Sequence, residues 1–355
     1  MGLALALHDE VEARVTGDGL AVEVAGEGDE TAGLGEQHLV VRAMRAGFGA
    51  LGGQPPGLRL RCVNAIPHGR GLGSSAAAIV SGLLAARALT EGGAELLPDH
   101  ALLRLAVSLE GHPDNVAACL SGGLTITWQP GRALTGSLPG EGPADGSPAV
   151  GSPAVGSPAE AGGDARLLRV AVDGSLAAVV CVPPFSLATS EARGVLPASV
   201  PHADAAANAG RSALLVAALS GAAGPGEHAA LLDATEDFLH QPYRARVMPS
   251  SADLIKRLRR AGVAAVVSGA GPSVLALLVT GRQPGPAVVD SIARETGIAW
   301  HVIPLDIDRQ GAVVQPGGLE EYPPDLGRQS RPCGQTQSQG MPSAGGSPQG
   351  QPVLP

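Results

Sequence analysis

A single lysine, Lys256, stands in the whole 355-residue chain. A Walker-type phosphate loop ends in Gly-Lys-Ser or Gly-Lys-Thr, and no such triplet exists here, so that class is excluded. Aromatic residues are equally scarce, at 2% (two Trp, two Tyr, three Phe), which leaves the core to Ala, Val, Leu and Ile. No apolar run approaches the roughly 18 residues of a membrane span. Gly2 to Leu7 is apolar but has no basic flank and meets His8-Asp9-Glu10 at once, so no signal peptide is expected. Positive charge is in deficit: 24 Lys and Arg against 33 Asp and Glu give a net charge of −9. That sign argues against a nucleic-acid footprint, which needs a basic face. The four cysteines (Cys62, Cys119, Cys181, Cys333) lack metal-like spacing and read as reduced packing thiols of a cytoplasmic protein.

What the chain does have is glycine, concentrated in Pro67-His68-Gly69-Arg70-Gly71-Leu72-Gly73-Ser74-Ser75-Ala76-Ala77. Glycine lets a backbone turn its N–H groups toward a ligand at close range. The apolar segment that follows reads as a helix, whose first N–H groups and positive dipole end suit an anion. Two serines add hydroxyls for phosphate or a metal ion. Together these features predict a nucleotide-phosphate site. The dinucleotide fingerprint also matches, as Gly71, Gly73 and Ala76 with Glu91 further on. That fingerprint must follow its strand directly, whereas residues 64–68 separate the glycines from the alternating run Leu58 to Val63. A tight turn without a ligand is the plain alternative, and three glycines with two serines at a helix start argue against it.

Strands are predicted within residues 3–24, on either side of Gly17-Asp18-Gly19, and at 58–63, 124–128, 167–172, 177–182, 263–267 and 274–279. Helices are predicted at about 36–51, 74–89, 99–109, 114–120, 205–220, 227–238 and 250–261. In the second half the pattern is strand, glycine loop 268–273, strand, with helices on one side. Strands and helices mix without regular alternation, so the expected class is α+β rather than a doubly wound sheet. Between Pro130 and Ala165 the chain turns to Gly, Pro, Ser and Ala, with Gly-Ser-Pro-Ala three times over. This tract, and residues 316–355, hold too little apolar surface to order themselves and are expected as a disordered insert and tail.

The glycine loop resembles the phosphate loop of the GHMP kinases, P-x-x-x-G-L-G-S-S-A-A, with every fixed position present from Pro67 to Ala77. Two further stretches of that family follow in order, Glu110-Gly111-His112-Pro113-Asp114-Asn115-Val116-Ala117 and Ser268-Gly269-Ala270-Gly271-Pro272-Ser273-Val274. Within the superfamily the chain resembles the homoserine kinases of actinobacterial type, sharing Ile66 to Gly71, the Glu-Gly-His-Pro-Asp-Asn-Val run and Glu191 to Pro197. The resemblance spans about residues 3–315 outside the insert. It implies a two-domain GHMP fold. Residues 1–129 form an ATP-binding N-terminal domain like ribosomal protein S5 domain 2, and residues 166–315 a ferredoxin-like C-terminal domain.

It also implies roles. ATP lies on Pro67 to Ala77, and Mg²⁺ is held by Glu110 with Ser75 or Ser74, oxygen ligands suited to a hard cation. Asn115 contacts the attacking hydroxyl; some relatives use an aspartate there, which would be Asp114. On bare sequence, though, Asp114 reads as an N-cap. Thr189 lies near the same hydroxyl. Arg193 and Arg244 take the amino acid's α-carboxylate, a task suited to the guanidinium fork. His112, Gly269 and Gly271 complete the substrate side, and the loop 268–273 braces the phosphate loop. The implied activity is transfer of the ATP γ-phosphate to L-homoserine, in the cytoplasm, with a homodimer as candidate assembly. The alternatives are a nucleotide-binding homologue without turnover and a kinase for another small hydroxy acid. One departure stands out. The family opens with a strand and A-N-L-G-P-G-F-D-x-x-G-L-A-L, of which Gly2-Leu3-Ala4-Leu5 matches only the end. Met1 is therefore expected to be an internal methionine, with the true start about 25–30 residues upstream by family analogy.

Overall fold

The structure is a computed structural model and describes residues 1–128, 165–224 and 227–316. The expected insert 130–165 and tail 316–355 lie outside the described residues, apart from Ala165 and Pro316. Cys333 lies outside them too. No described helix is long and apolar enough to cross a membrane.

A two-residue strand, β1 (Gly2–Leu3), precedes the alternating strands β2 (Glu10–Thr16) and β3 (Leu20–Gly26). The short link at Gly17-Asp18-Gly19 does not make β2 and β3 neighbours. Both flank β4 (Gly57–Asn64), β2 antiparallel and β3 parallel to it. The crossover from β3 to β4 is carried by a 3₁₀ stretch at Asp29–Gln37 and α1 (Leu39–Ala50). Parallel strands need such a long return, and a hairpin does not. After β4 come α2 (Ser74–Ala88), α3 (Gly93–Leu96), α4 (Asp99–Glu110) and α5 (Pro113–Ser121). The side chains Met44, Val41, Leu58, Leu60 and Cys62 close α1 onto the sheet. Ile79, Leu83, Leu102 and Val116 join α2, α4 and α5. Gly82 allows α2 to lie directly on α1: a β-carbon there would stand 2.7 Å from that of Ala43. With so few aromatics, close approach of small residues supplies the packing density a core needs.

β5 (Leu124–Trp128) pairs with β1 on one side and with β6 (Arg166–Val170) on the other, all antiparallel. The remaining elements are β7 (Leu176–Val182), α6 (Thr189–Gly194), α7 (His202–Leu219), α8 (Glu227–Ala234), α9 (Gln241–Arg244) and α10 (Pro249–Arg260). They are followed by β8 (Ala264–Val267), β9 (Val274–Val279), α11 (Pro286–Glu295) and β10 (His301–Leu305). The last sheet runs β10-β7-β9-β8, antiparallel throughout. Taken with α10 and α11 this is the β-α-β-β-α-β arrangement of a ferredoxin-like unit.

One expectation needs correction. Helices do not lie on one side of this sheet alone. Val179, Cys181, Val274, Ala276 and Leu278 face α10 and α11. Their alternating neighbours Ala178, Leu277 and Val279 face α7 and α8. Burial on both faces explains why β7 and β9 are unbroken apolar runs. Cys62, Cys119 and Cys181 are free thiols serving as packing, and burial pushes them up to about 11, 12 and 12.

Candidate active site

The loop between β4 and α2 turns through Gly69, Gly71 and Gly73 at φ 64°, 74° and 81°. α2 starts at Ser74 with no side chain capping its first N–H groups, which face the loop. Gly71 is where the second glycine loop touches the first. A β-carbon on Gly71 would overlap the Ser268 carbonyl and stand 2.7 Å from the Gly271 nitrogen. Ser268 Oγ donates to the Gly71 carbonyl at 2.9 Å, and the Ser273 amide to that of Arg70 at 3.3 Å. The expected bracing is thus a set of direct contacts. Gly71→Ala combines a left-handed backbone with this overlap. It is expected to cost about 1–3 kcal/mol in a urea melt and to weaken ATP binding in titration; a variant with unchanged melt and affinity would refute the contact's importance.

Ser75 Oγ donates to Glu110 Oε2 at 2.6 Å. Glu110 is the last residue of α4, and Gly111, left-handed at φ 88°, turns the chain away into α5. Asp114 is not the N-cap of α5. His112 holds that position, and Asp114 lies inside the first turn because Pro113 already starts the helix. Asp114 Oδ1 accepts from His112 Nδ1 at 2.8 Å and from the Asn115 amide at 3.0 Å. Burial alone would raise its pKa; the His112 hydrogen bond and charge, with the Asn115 amide, outweigh that and hold it below the ordinary value. A carboxylate so held is a good acceptor and a weak base. The Asn115 Cγ lies 3.9 Å from where a Gly73 β-carbon would be, so this amide stands beside the phosphate loop.

Thr189 and Arg193 share one face of α6 and are exposed. In α9, Arg244 donates Nε to the Ala192 carbonyl at 3.2 Å and Nη1 to the Gly269 carbonyl at 3.0 Å. Burial, with the neighbouring Arg193 cation, pulls Arg244 below its ordinary value against the opposing pull of Asp237. Arg244 thus reaches the second glycine loop with the Arg193 charge near it, and among the described residues no carboxylate pairs with either. Gly269 and Gly271 act here through backbone: the first receives Arg244, the second packs on Met248.

Sequence reasoning missed the support for α9. Asp237 accepts from the amides of Leu239, His240 and Gln241 at 3.0, 3.1 and 2.7 Å. Burial pushes Asp237 up, but His240 and those amides prevail and leave it below its ordinary 3.8. Its contribution to stability is therefore full above about pH 4 and is lost as pH falls through the depressed folded value. Asp237→Ala is expected to cost about 1–2 kcal/mol at pH 7, a difference that shrinks toward pH 3 in paired urea melts. An equal cost at both pH values would contradict this.

A cavity of about 320 Å³ adjoins the phosphate loop, lined by Asp9, Thr31, His38, Asn64, His68 and Ser75 among others. Asp9 accepts from the amides of Ala65 and Ile66 at 2.7 and 2.9 Å and so fixes the entry to the loop. The acidic pair Asp9-Glu10 and a histidine just before α1 were the available sequence signals. Neither carries a motif.

A glycine loop at a helix start, braced by a second one from a ferredoxin-like unit, defines the class of GHMP-type small-molecule kinases. Residues 38–123 match the GHMP kinases N terminal domain and residues 214–298 the GHMP kinases C terminal domain. The homoserine kinase of Streptomyces avermitilis is 48% identical over 89% of this chain and 90% of its own length. That of Streptomyces coelicolor is 47% identical over 89% of each. The crystal structure of homoserine kinase from Cytophaga hutchinsonii superposes with a TM-score of 0.64 at 24% identity, covering 87% of this chain and 89% of that one, a likeness of fold. The chain belongs to the homoserine kinase family of the GHMP kinases.

Proposed function

We propose that the protein transfers the γ-phosphate of ATP to the side-chain hydroxyl of L-homoserine, giving O-phospho-L-homoserine on the route to threonine. The observation that carries the acceptor is Arg244 at the second glycine loop with the Arg193 charge near it. Two cations without a described carboxylate between them suit an α-carboxylate, bound through the guanidinium forks. ATP phosphates take the amides of Gly69 to Ser75, and the nucleoside takes the adjoining cavity. Asn115, beside Gly73, holds the attacking hydroxyl, with Thr189 near it. Asp114 orients Asn115 and His112 rather than serving as base. Phosphoryl transfer depends mainly on positioning and charge stabilisation, so this site does not require a strong base.

Mg²⁺ belongs to the same reading. Ser75 Oγ and Glu110 Oε2 form an all-oxygen donor pair at the loop, which fits a hard cation. Bound there, the ion would neutralise charge developing on the phosphates. A cytoplasmic location and a division into donor and acceptor halves near residues 129–166 complete the proposal. The test is homoserine-dependent ADP release with the phosphorylated product identified by ³¹P NMR. ATP binding without release would favour a nucleotide-binding protein without turnover, and release with another hydroxy acid alone would replace the acceptor.

A further inference from the structure

Arg70 stands in the phosphate loop, but its side chain is engaged elsewhere. Nε donates to the Pro183 carbonyl at 3.1 Å and Nη1 to the His68 carbonyl at 3.0 Å. The neighbouring Gly69 carbonyl accepts the Leu187 amide at 3.1 Å. A β-carbon on Gly69 would meet the Ser186 side chain at 3.4 Å, so little space separates the two segments. The Arg70 carbonyl in turn receives the Ser273 amide. Residues 183–187 lead directly into α6, which carries Thr189 and Arg193. One residue thus ties the nucleotide loop to the segment feeding the acceptor side and, through its backbone, to the second glycine loop.

We infer that Arg70 is a positioning residue that fixes α6, and with it the acceptor, in register with the phosphate loop. This rests on the reading that Arg193 and Thr189 meet the acceptor. A planar guanidinium can hold two carbonyls at once in fixed directions, which an ammonium cannot do with the same rigidity. When the clamp is absent, α6 drifts, the hydroxyl is less often aligned, and water competes for the γ-phosphate, giving ADP and inorganic phosphate.

Arg70→Ala and Arg70→Lys test this in the full chain. For Arg70→Ala the KM for homoserine should rise about tenfold, the loss of a bond or two to backbone carbonyls, with the KM for ATP within about twofold. Phosphohomoserine formed per ADP released should fall below the wild-type ratio. The Leu187 amide should exchange hydrogen faster. Arg70→Lys should lie between, and it carries the test if the alanine variant does not fold. A raised KM for ATP with an unchanged KM for homoserine would make Arg70 a phosphate contact and overturn the inference, as would wild-type kinetics with wild-type coupling. A wild-type protein without homoserine-dependent ADP release would instead overturn the acceptor reading, and exchange at Leu187 would still report on the clamp.

Discussion

Glu110→Gln is expected to lower kcat by about 100- to 1,000-fold, the range for losing one group that stabilises charge in a transition state, while leaving the fold intact. Glutamine keeps an oxygen that can accept from Ser75 Oγ, so the 2.6 Å hydrogen bond has a substitute. What glutamine lacks is the charge. If Glu110 served only to hold Ser75 at the start of α2, the variant would be mild and Ser75→Ala would match Glu110→Ala. If the pair holds a divalent cation, the loss is large, and the Mg²⁺ concentration for half-maximal rate moves up. Glu110 also closes α4, where the helix dipole disfavours a carboxylate by a few tenths of a kcal/mol. Removing the charge should therefore not cost stability. A thermal melt at or above the wild-type midpoint, with a collapsed rate, would separate a cation ligand from a structural residue. A rate within a few-fold of wild type would remove Glu110 from the metal site.

Much of this site was legible because the chemistry forces local signatures. A backbone that must turn sharply at a helix start uses Gly69, Gly71 and Gly73 at positive φ, and the helix that follows buries its small residues Ala76 and Ala77. Some helix starts were also local, as at Pro98-Asp99 where α4 begins. What could not be read locally is contact between distant segments. The alternation in β2 and β3 is visible, but their separation by β4 depends on the long crossover between Gly26 and Gly57. α11 and β10 carry ordinary patterns and went unread after a Pro- and Gly-rich stretch at 281–286. Asp9, His38 and Asn64 meet at the cavity only because β2, α1 and β4 converge there. Single residues at the ends of three elements have no spacing to detect. The Asp114 reading failed for a smaller reason: proline at the first helical position moved the cap back to His112.

The two arginines should divide their effects in a way that tests the acceptor directly. Arg193→Ala removes an exposed guanidinium that makes no described ion pair, so its loss should fall on homoserine binding: KM up by about 100-fold with kcat nearly unchanged, the cost of one charge-assisted pair. Arg244→Ala should be worse. Its guanidinium also joins the Ala192 carbonyl in α6 to the Gly269 carbonyl in the second glycine loop. Removing it frees α6 from that loop and leaves two carbonyls short of a donor, so kcat should fall about tenfold as well. On the proposed reading both cations face one carboxylate, so the double variant should lose less than the product of the single losses, a coupling visible in a double-mutant cycle. An acceptor that keeps the hydroxyl and the amine but lacks the carboxylate provides the complementary measurement. The wild type should prefer homoserine over 3-aminopropan-1-ol by a factor comparable to the double variant's loss, and the double variant should barely distinguish the two. If the variant keeps the full preference, the carboxylate is bound elsewhere, and Arg193 and Arg244 serve the closure of the loops instead.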